Sequence, residues 1–132
     1  LEMAKIALMP LVNGLPLRWT EAKTAAYQVT KEDSGTIFHT TGATAAVTFT
    51  LPPISDGPFH FMFISGADVA MTVAAKTADT AVTYNDLAAD SVAFSTSSEI
   101  IGGSVEVICD GTTLFVLPRP ATIYQTITIA TA

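Results

Sequence analysis

The sequence predicts an all-β domain: an antiparallel β-sandwich, jelly roll or squat barrel with an extended N-terminal arm. Three observations carry this. Short runs alternate apolar and polar residues, most cleanly at Val47-Thr48-Phe49-Thr50-Leu51, and a period of two marks a half-buried strand. Clusters such as Asp33-Ser34-Gly35, Thr41-Gly42 and Ser55-Asp56-Gly57-Pro58 separate the runs and suit turns. Asp110-Gly111 lies between two such runs, a hairpin signal because a type I′ turn needs positive φ at both central residues.

The 132 residues suffice for one core domain. Residues 1–23 read as an arm, because Pro10, Asn13-Gly14 and Pro16 break its apolar pieces and no period survives. Residues 24–120 read as the β-rich core and 121–132 as a final strand or tail. In the core, Tyr27-Gln28-Val29-Thr30 and Ile37-Phe38-His39-Thr40 are short strands, and Pro52-Pro53 ends the strand at Val47 because proline removes a ladder donor. Phe59 to Ile64 sets Phe59, Phe61 and Phe63 on one face and His60, Met62 and Ile64 on the other. Both faces are largely apolar, the pattern of a central strand buried on two sides. Val69, Met71 and Val73 share a face, Val82-Thr83-Tyr84 is a short strand, and Val92-Ala93-Phe94 pairs nearby. Between them, the Ala-rich stretch 74–93 has the propensity for one helical turn. Val105–Cys109 and Thr112–Leu117 form the Asp110-Gly111 hairpin. The tail alternates with Ile123, Gln125, Ile127 and Ile129 on one face. In total, eight or nine strands are expected.

Composition narrows the function. Charged residues are 14% and apolar residues 49%, against about 25% charged in an average soluble domain. Such a surface invites association. The net charge is −6 and the six basic residues are scattered, which disfavours direct nucleic-acid binding. No apolar run approaches the length of a membrane-spanning helix. The single cysteine, Cys109, reads as a buried strand thiol. Met3 is a candidate natural start, with Leu1-Glu2 an appended or processed end, and Ile6–Val12 lacks the cleavage signal of a secretory leader.

Catalytic chemistry has little to stand on. His39 and His60 lack the Cys or His companions of zinc spacing. Asp33, Asp56, Asp68, Asp86 and Asp110 read as turn formers, since no calcium-loop pattern contains them. No nucleophile elbow or phosphate loop occurs. The expectation is a protein that is not an enzyme and has no cofactor or metal. Protein-interface candidates are Leu8, Leu11, Leu17 and Trp19 in the arm, and Tyr124, Ile127 and Ile129 in the tail. Trp19 either pins the arm to its own domain or reaches a neighbouring subunit. If Trp19, Tyr27, Tyr84 and Tyr124 shared an open face, they would instead form a sugar-stacking platform.

Several segments in order resemble a known class. Tyr27-Gln28-Val29-Thr30 leads through Asp33-Ser34-Gly35 to Ile37-Phe38, followed by Gly42-Ala43-Thr44 and Val47-Thr48-Phe49-Thr50-Leu51-Pro52. Gly103-Ser104-Val105 and Cys109-Asp110-Gly111-Thr112 come later. Over residues 25–118 this order resembles small β-rich modules of tailed-bacteriophage virions, most of all capsid decoration (cement) proteins. The resemblance implies a non-enzymatic protein on the outer capsid surface that binds the major capsid protein and stabilises the lattice. It also implies a homo-oligomer, in this class often a trimer. A tail- or fibre-associated carbohydrate-binding module is the alternative.

Overall fold

The computed structural model describes residues 11–12, 15–16 and 19–131. Two mixed β-sheets pack face to face, so the expected all-β sandwich is observed. The chain runs β1 (Leu11–Val12), β2 (Leu15–Pro16), β3 (Thr20–Ala22), β4 (Tyr27–Gln28), β5 (Ile37–His39), β6 (Val47–Thr50) and β7 (Phe59–Ile64). It continues as β8 (Met71–Ala74), β9 (Ala81–Thr83), β10 (Asp86–Ala89), β11 (Ser91–Phe94), β12 (Ser104–Cys109), β13 (Leu114–Arg119) and β14 (Thr128–Ala130). One sheet has the order β10-β9-β13-β12-β7-β5-β3 and the other β14-β11-β8-β6-β4, while β1 and β2 pair only with each other.

Strand direction differs from the antiparallel expectation. From β3 to β8, successive strands enter opposite sheets, so the next strand of each sheet arrives in the same direction. Hence β3, β5 and β7 run parallel in one sheet and β4, β6 and β8 parallel in the other. The chain makes three turns of a flattened coil, and antiparallel strands β12 and β11 then close it against β7 and β8. A period-two pattern records which face is buried, not which way the neighbour runs. That is why the alternation predicted the strands and missed their direction.

The core forms where the alternating side chains of the two sheets meet. Phe38, Phe49, Phe61 and Phe63 are each fully buried. The Phe38 and Phe63 rings stack at 5.5 Å between neighbouring strands, and Phe49 of the facing sheet lies 4.8 Å from Phe63 and 5.6 Å from Phe38. Val47, Met71, Val73, Val92, Val105, Val107 and Val116 fill the remaining space. Cys109 is buried as expected, and burial pushes its thiol pKa up.

Local details refine other expectations. The Ala-rich stretch contains β9, β10 and β11 and no helical turn, because Ala81 and Ala89 point into the sandwich and tertiary burial outweighs Ala's propensity. The turn between β9 and β10 places Asn85 at φ +57°. The Asp110 hairpin forms with a longer loop than a two-residue turn: β12 ends at Cys109 and β13 starts at Leu114. Gly111 alone supplies positive φ there, while the Asp110 carboxylate accepts the Thr112 and Thr113 N–H groups at 2.8 and 2.7 Å. Asp33, expected as a surface turn residue, is buried and accepts from the Tyr27 hydroxyl at 2.9 Å and the Thr30 N–H at 3.1 Å. Residues 20–22, assigned to the arm by sequence, form the edge strand β3, and the tail contributes the edge strand β14.

The close approach of the sheets yields a test. A Cβ on Gly103 would sit 2.8 Å from the ring of buried Phe94. We expect Gly103→Ala to destabilise the fold by about 1–3 kcal/mol, measured by urea unfolding, whereas Gly35→Ala loses stability only through its positive φ because its Cβ would meet open space.

Candidate interaction surface

Burying Phe59, Phe61 and Phe63 forces His60, Met62 and Ile64 to the outside of the seven-stranded sheet. The same alternation turns Ile37 and His39 of β5 outward, with Ser104, Glu106 and Ile108 of β12, Phe115 and Leu117 of β13 and Val82 of β9. Strand register arranges these side chains in rows. One row runs His60, Ile108, Phe115 and Val82. The next runs Ile37, Met62, Glu106 and Leu117. Ile108 and Phe115, direct cross-strand partners, are exposed, and Met62, Ile64, Ile37 and Leu117 are half-buried. Large apolar side chains thus dominate the outer surface of the sheet.

A charged cluster sits within this apolar surface. Glu106 accepts a hydrogen bond from His60 Nε2 at 2.9 Å and another from the Arg119 guanidinium. The register explains the contacts: Glu106 is opposite Met62 on one side and Leu117 on the other, two residues along from His60 and Arg119. The hydrogen bond from His60, then that from Arg119, lowers the Glu106 pKa. Its carboxylate is therefore held ionised, and with Nε2–H donating the imidazole is fixed in orientation. His60 and Arg119 lie on strands either side of β12, so the cluster ties three strands together on their outer side.

The outer face of the five-stranded sheet is chemically opposite. Its rows read Thr48, Thr72, Ala93, Thr128 and Gln28, Thr50, Ala74, Ser91, Ala130. Small and polar side chains cover it, as expected of a face that meets water. The difference between the two faces lies in the side chains that the alternation turns outward.

The residues singled out by sequence distribute as follows. Leu8 and Leu17 lie outside the described residues. Leu11 belongs to β1 and is paired with Pro16. Trp19 is half-buried, and its indole N–H donates to Glu21 Oε1 at 3.1 Å. Ile127 and Ile129 pack against the core, with Ile129 opposite Val92 at the sheet edge. Tyr124 is 80% exposed. Among the described residues, Trp19 stands at the opposite edge of the sandwich from Ile127 and Ile129. The shared sugar platform of Trp19, Tyr27, Tyr84 and Tyr124 is absent: Tyr27 packs on the core, and Tyr84 and Tyr124 line separate grooves. Among the described residues no group of three or more His, Cys, Asp or Glu side chains is placed to hold a metal ion. The outward residues Ile108, Phe115 and Leu117 were not singled out by sequence. The signal was present in β7, whose two apolar faces call for cover on both sides; the chain's own core covers one.

The charged cluster has a pH signature. Glu106 has a lowered folded-state pKa, so its contribution to stability is present above its ordinary value of 4.5 and is lost as pH falls through the lowered one. Glu106→Gln should therefore lower stability near pH 7, modestly because the cluster is solvent-screened, and flatten the acid limb, so that the two proteins converge as pH falls through the lowered pKa. Thermal melts of both proteins between pH 3 and 7 check this; parallel curves would remove the assignment. No protein-family model, curated protein or solved structure matches this chain, so any reading of its function rests on this surface and on the sequence.

Proposed function

We propose that the protein is a structural, non-catalytic component that packs the outer face of its seven-stranded sheet against other protein subunits. Within that reading, its role is capsid decoration: binding the major capsid protein on the outer surface of a phage head as a homo-oligomer, with a trimer as the expected form. The observation that carries the proposal is the contrast between the two outer faces. One presents Ile37, Met62, Ile64, Ile108, Phe115 and Leu117 around an ion cluster, and the other presents Thr, Ser, Ala and Gln. Association interfaces combine an apolar centre with a few oriented polar groups, and this composition fits that anatomy. The capsid itself enters only through the resemblance of residues 25–118. Repetition over a symmetric lattice would multiply a modest contact into stable attachment.

The test uses purified tailed-phage capsids that lack the protein. Added protein should co-sediment with them and appear by electron microscopy as regular lattice density. A Phe115→Glu, Leu117→Glu double variant should lose occupancy by tenfold or more, while Thr48→Glu on the opposite face binds as the parent does. Removing residues 1–18 should weaken attachment more than it weakens folding. Equal occupancy for the Phe115/Leu117 variant and the parent would overturn the assigned face, and density confined to the tail would overturn capsid decoration.

A further inference from the structure

A groove of about 530 Å³ opens between the loop after Ser65, the loop that follows β11 and the loop that precedes β14. Asp68, Ser98, Glu99, Ile101, Tyr124 and Gln125 line it, with Thr122 at the same wall. Its size lies within the range of small-ligand sites, about 300–1,000 Å³. Tyr124 is 80% exposed and Ile101 63% exposed, so an aromatic ring and an aliphatic side chain are open to a visitor.

The polar lining has a consistent bias. Asp68 Oδ1 accepts the Ser98 N–H at 3.0 Å, and Glu99 Oε2 accepts the Thr126 N–H at 3.1 Å and its hydroxyl at 2.7 Å. Each carboxylate thus has a second oxygen that none of these bonds uses. The side-chain N–H groups of Gln125 are engaged by the Ile100 and Ile101 carbonyls at 3.0 and 3.3 Å, and its Oε1 accepts the Ala121 N–H at 2.6 Å. The Thr122 hydroxyl accepts the Tyr124 N–H at 2.8 Å. These bonds also fix the loops to one another, so the groove is held open by its own wall. The wall therefore offers carboxylate acceptors, an apolar platform and the hydroxyl groups of Ser98, Thr122 and Tyr124.

We infer that this groove binds a neutral sugar ring, stacked by its C–H face on Tyr124 and donating hydroxyl hydrogens to Asp68 and Glu99. A pyranose complements this wall: its flat apolar face covers the platform, and its rim hydroxyls donate to the carboxylates and accept from the wall's hydroxyls. Hydrogen bonds to ionised acceptors are stronger than neutral ones. The two carboxylates disfavour acidic sugars by repulsion, and the net charge of −6 adds to this. An ammonium group would satisfy the carboxylates and leave the platform uncovered; a guanidinium can stack on the ring but has only donors, and so offers nothing to the Ser98, Thr122 and Tyr124 hydroxyls. The groove is made of different residues from the outer face of the seven-stranded sheet, so the two assignments stand or fall separately.

Backbone-amide NMR of the full chain tests the inference. The probes are glucose, galactose, mannose and N-acetylglucosamine, with their short oligomers, titrated to tens of millimolar. Binding of at least one should shift amides of residues 66–68, 98–103 and 121–126. Tyr124→Ala should weaken it tenfold or more, and Asp68→Asn, whose amide oxygen can still accept the Ser98 N–H, several-fold. Both variants should keep the parent melting temperature, because neither side chain is buried. Absence of shifts with every sugar would overturn the inference. So would an unchanged affinity in Tyr124→Ala, or salt-sensitive binding of arginine or lysine methyl ester at the same amides in preference to any sugar.

Discussion

The contact of Phe38 and Phe63 with Phe49 across the sandwich is the constraint on which the rest of the structure depends. Those rings join neighbouring turns of the coil and lock the two sheets together. In a strand, fixing one side chain inward fixes its neighbours outward. With Phe61 and Phe63 committed to the core, Met62 and Ile64 have no place inside. The same argument runs along β5, β12 and β13, whose inward residues Phe38, Val105, Val107, Leu114 and Val116 commit Ile37, Ile108, Phe115 and Leu117 to the surface. A one-residue slip would place Glu106 and His60 among the phenylalanines, at a desolvation cost of several kcal/mol. Register decides which side chains face out; that those of the seven-stranded sheet are large and apolar is what requires a functional explanation.

The two ends of the sandwich are treated differently. At one end, β3 and β4 are the sheet edges, and polar contacts cluster there. Lys23 lies 3.5 Å from Glu21 and 4.0 Å from the centre of the Tyr27 ring, and Trp19 donates to Glu21. Charged and hydrogen-bonded side chains of this kind blunt an edge against unwanted strand pairing. At the other end, β10 and β14 are the edges, and the Thr131 hydroxyl donates to the Asp86 carboxylate while the Asp90 N–H donates to the Ala130 carbonyl at 2.7 Å. The Thr131 contact lowers the Asp86 pKa. The C-terminal strand is thus tied to the opposite sheet, in keeping with the packing of Ile127 and Ile129 against the core.

Much of the fold was legible because alternation and turn residues are local properties. Val47 to Thr50, Phe59 to Ile64 and the Asp110 hairpin follow from neighbours in sequence alone. Strand direction was not, because it depends on which sheet each strand enters, a property of distant segments. The arm and tail drew attention as interface candidates because they stand at the chain ends and break the pattern. The outer face escaped notice because its members are separated by up to 80 residues and become adjacent only through register, as Ile37 and Leu117 do on one row. The groove is similar: Asp68, Glu99 and Tyr124 come from three loops, and no local motif announces them.

Hydroxyl-radical footprinting of the protein alone and on capsids tests the central claim most directly, because it reads side-chain cover without altering a residue. Association through the seven-stranded sheet predicts that Met62, Ile108, Phe115 and Leu117 become protected on binding while Tyr84 keeps its reactivity. Protection that spares Phe115 and Leu117 and falls on the face carrying Gln28 and Thr48 would contradict it.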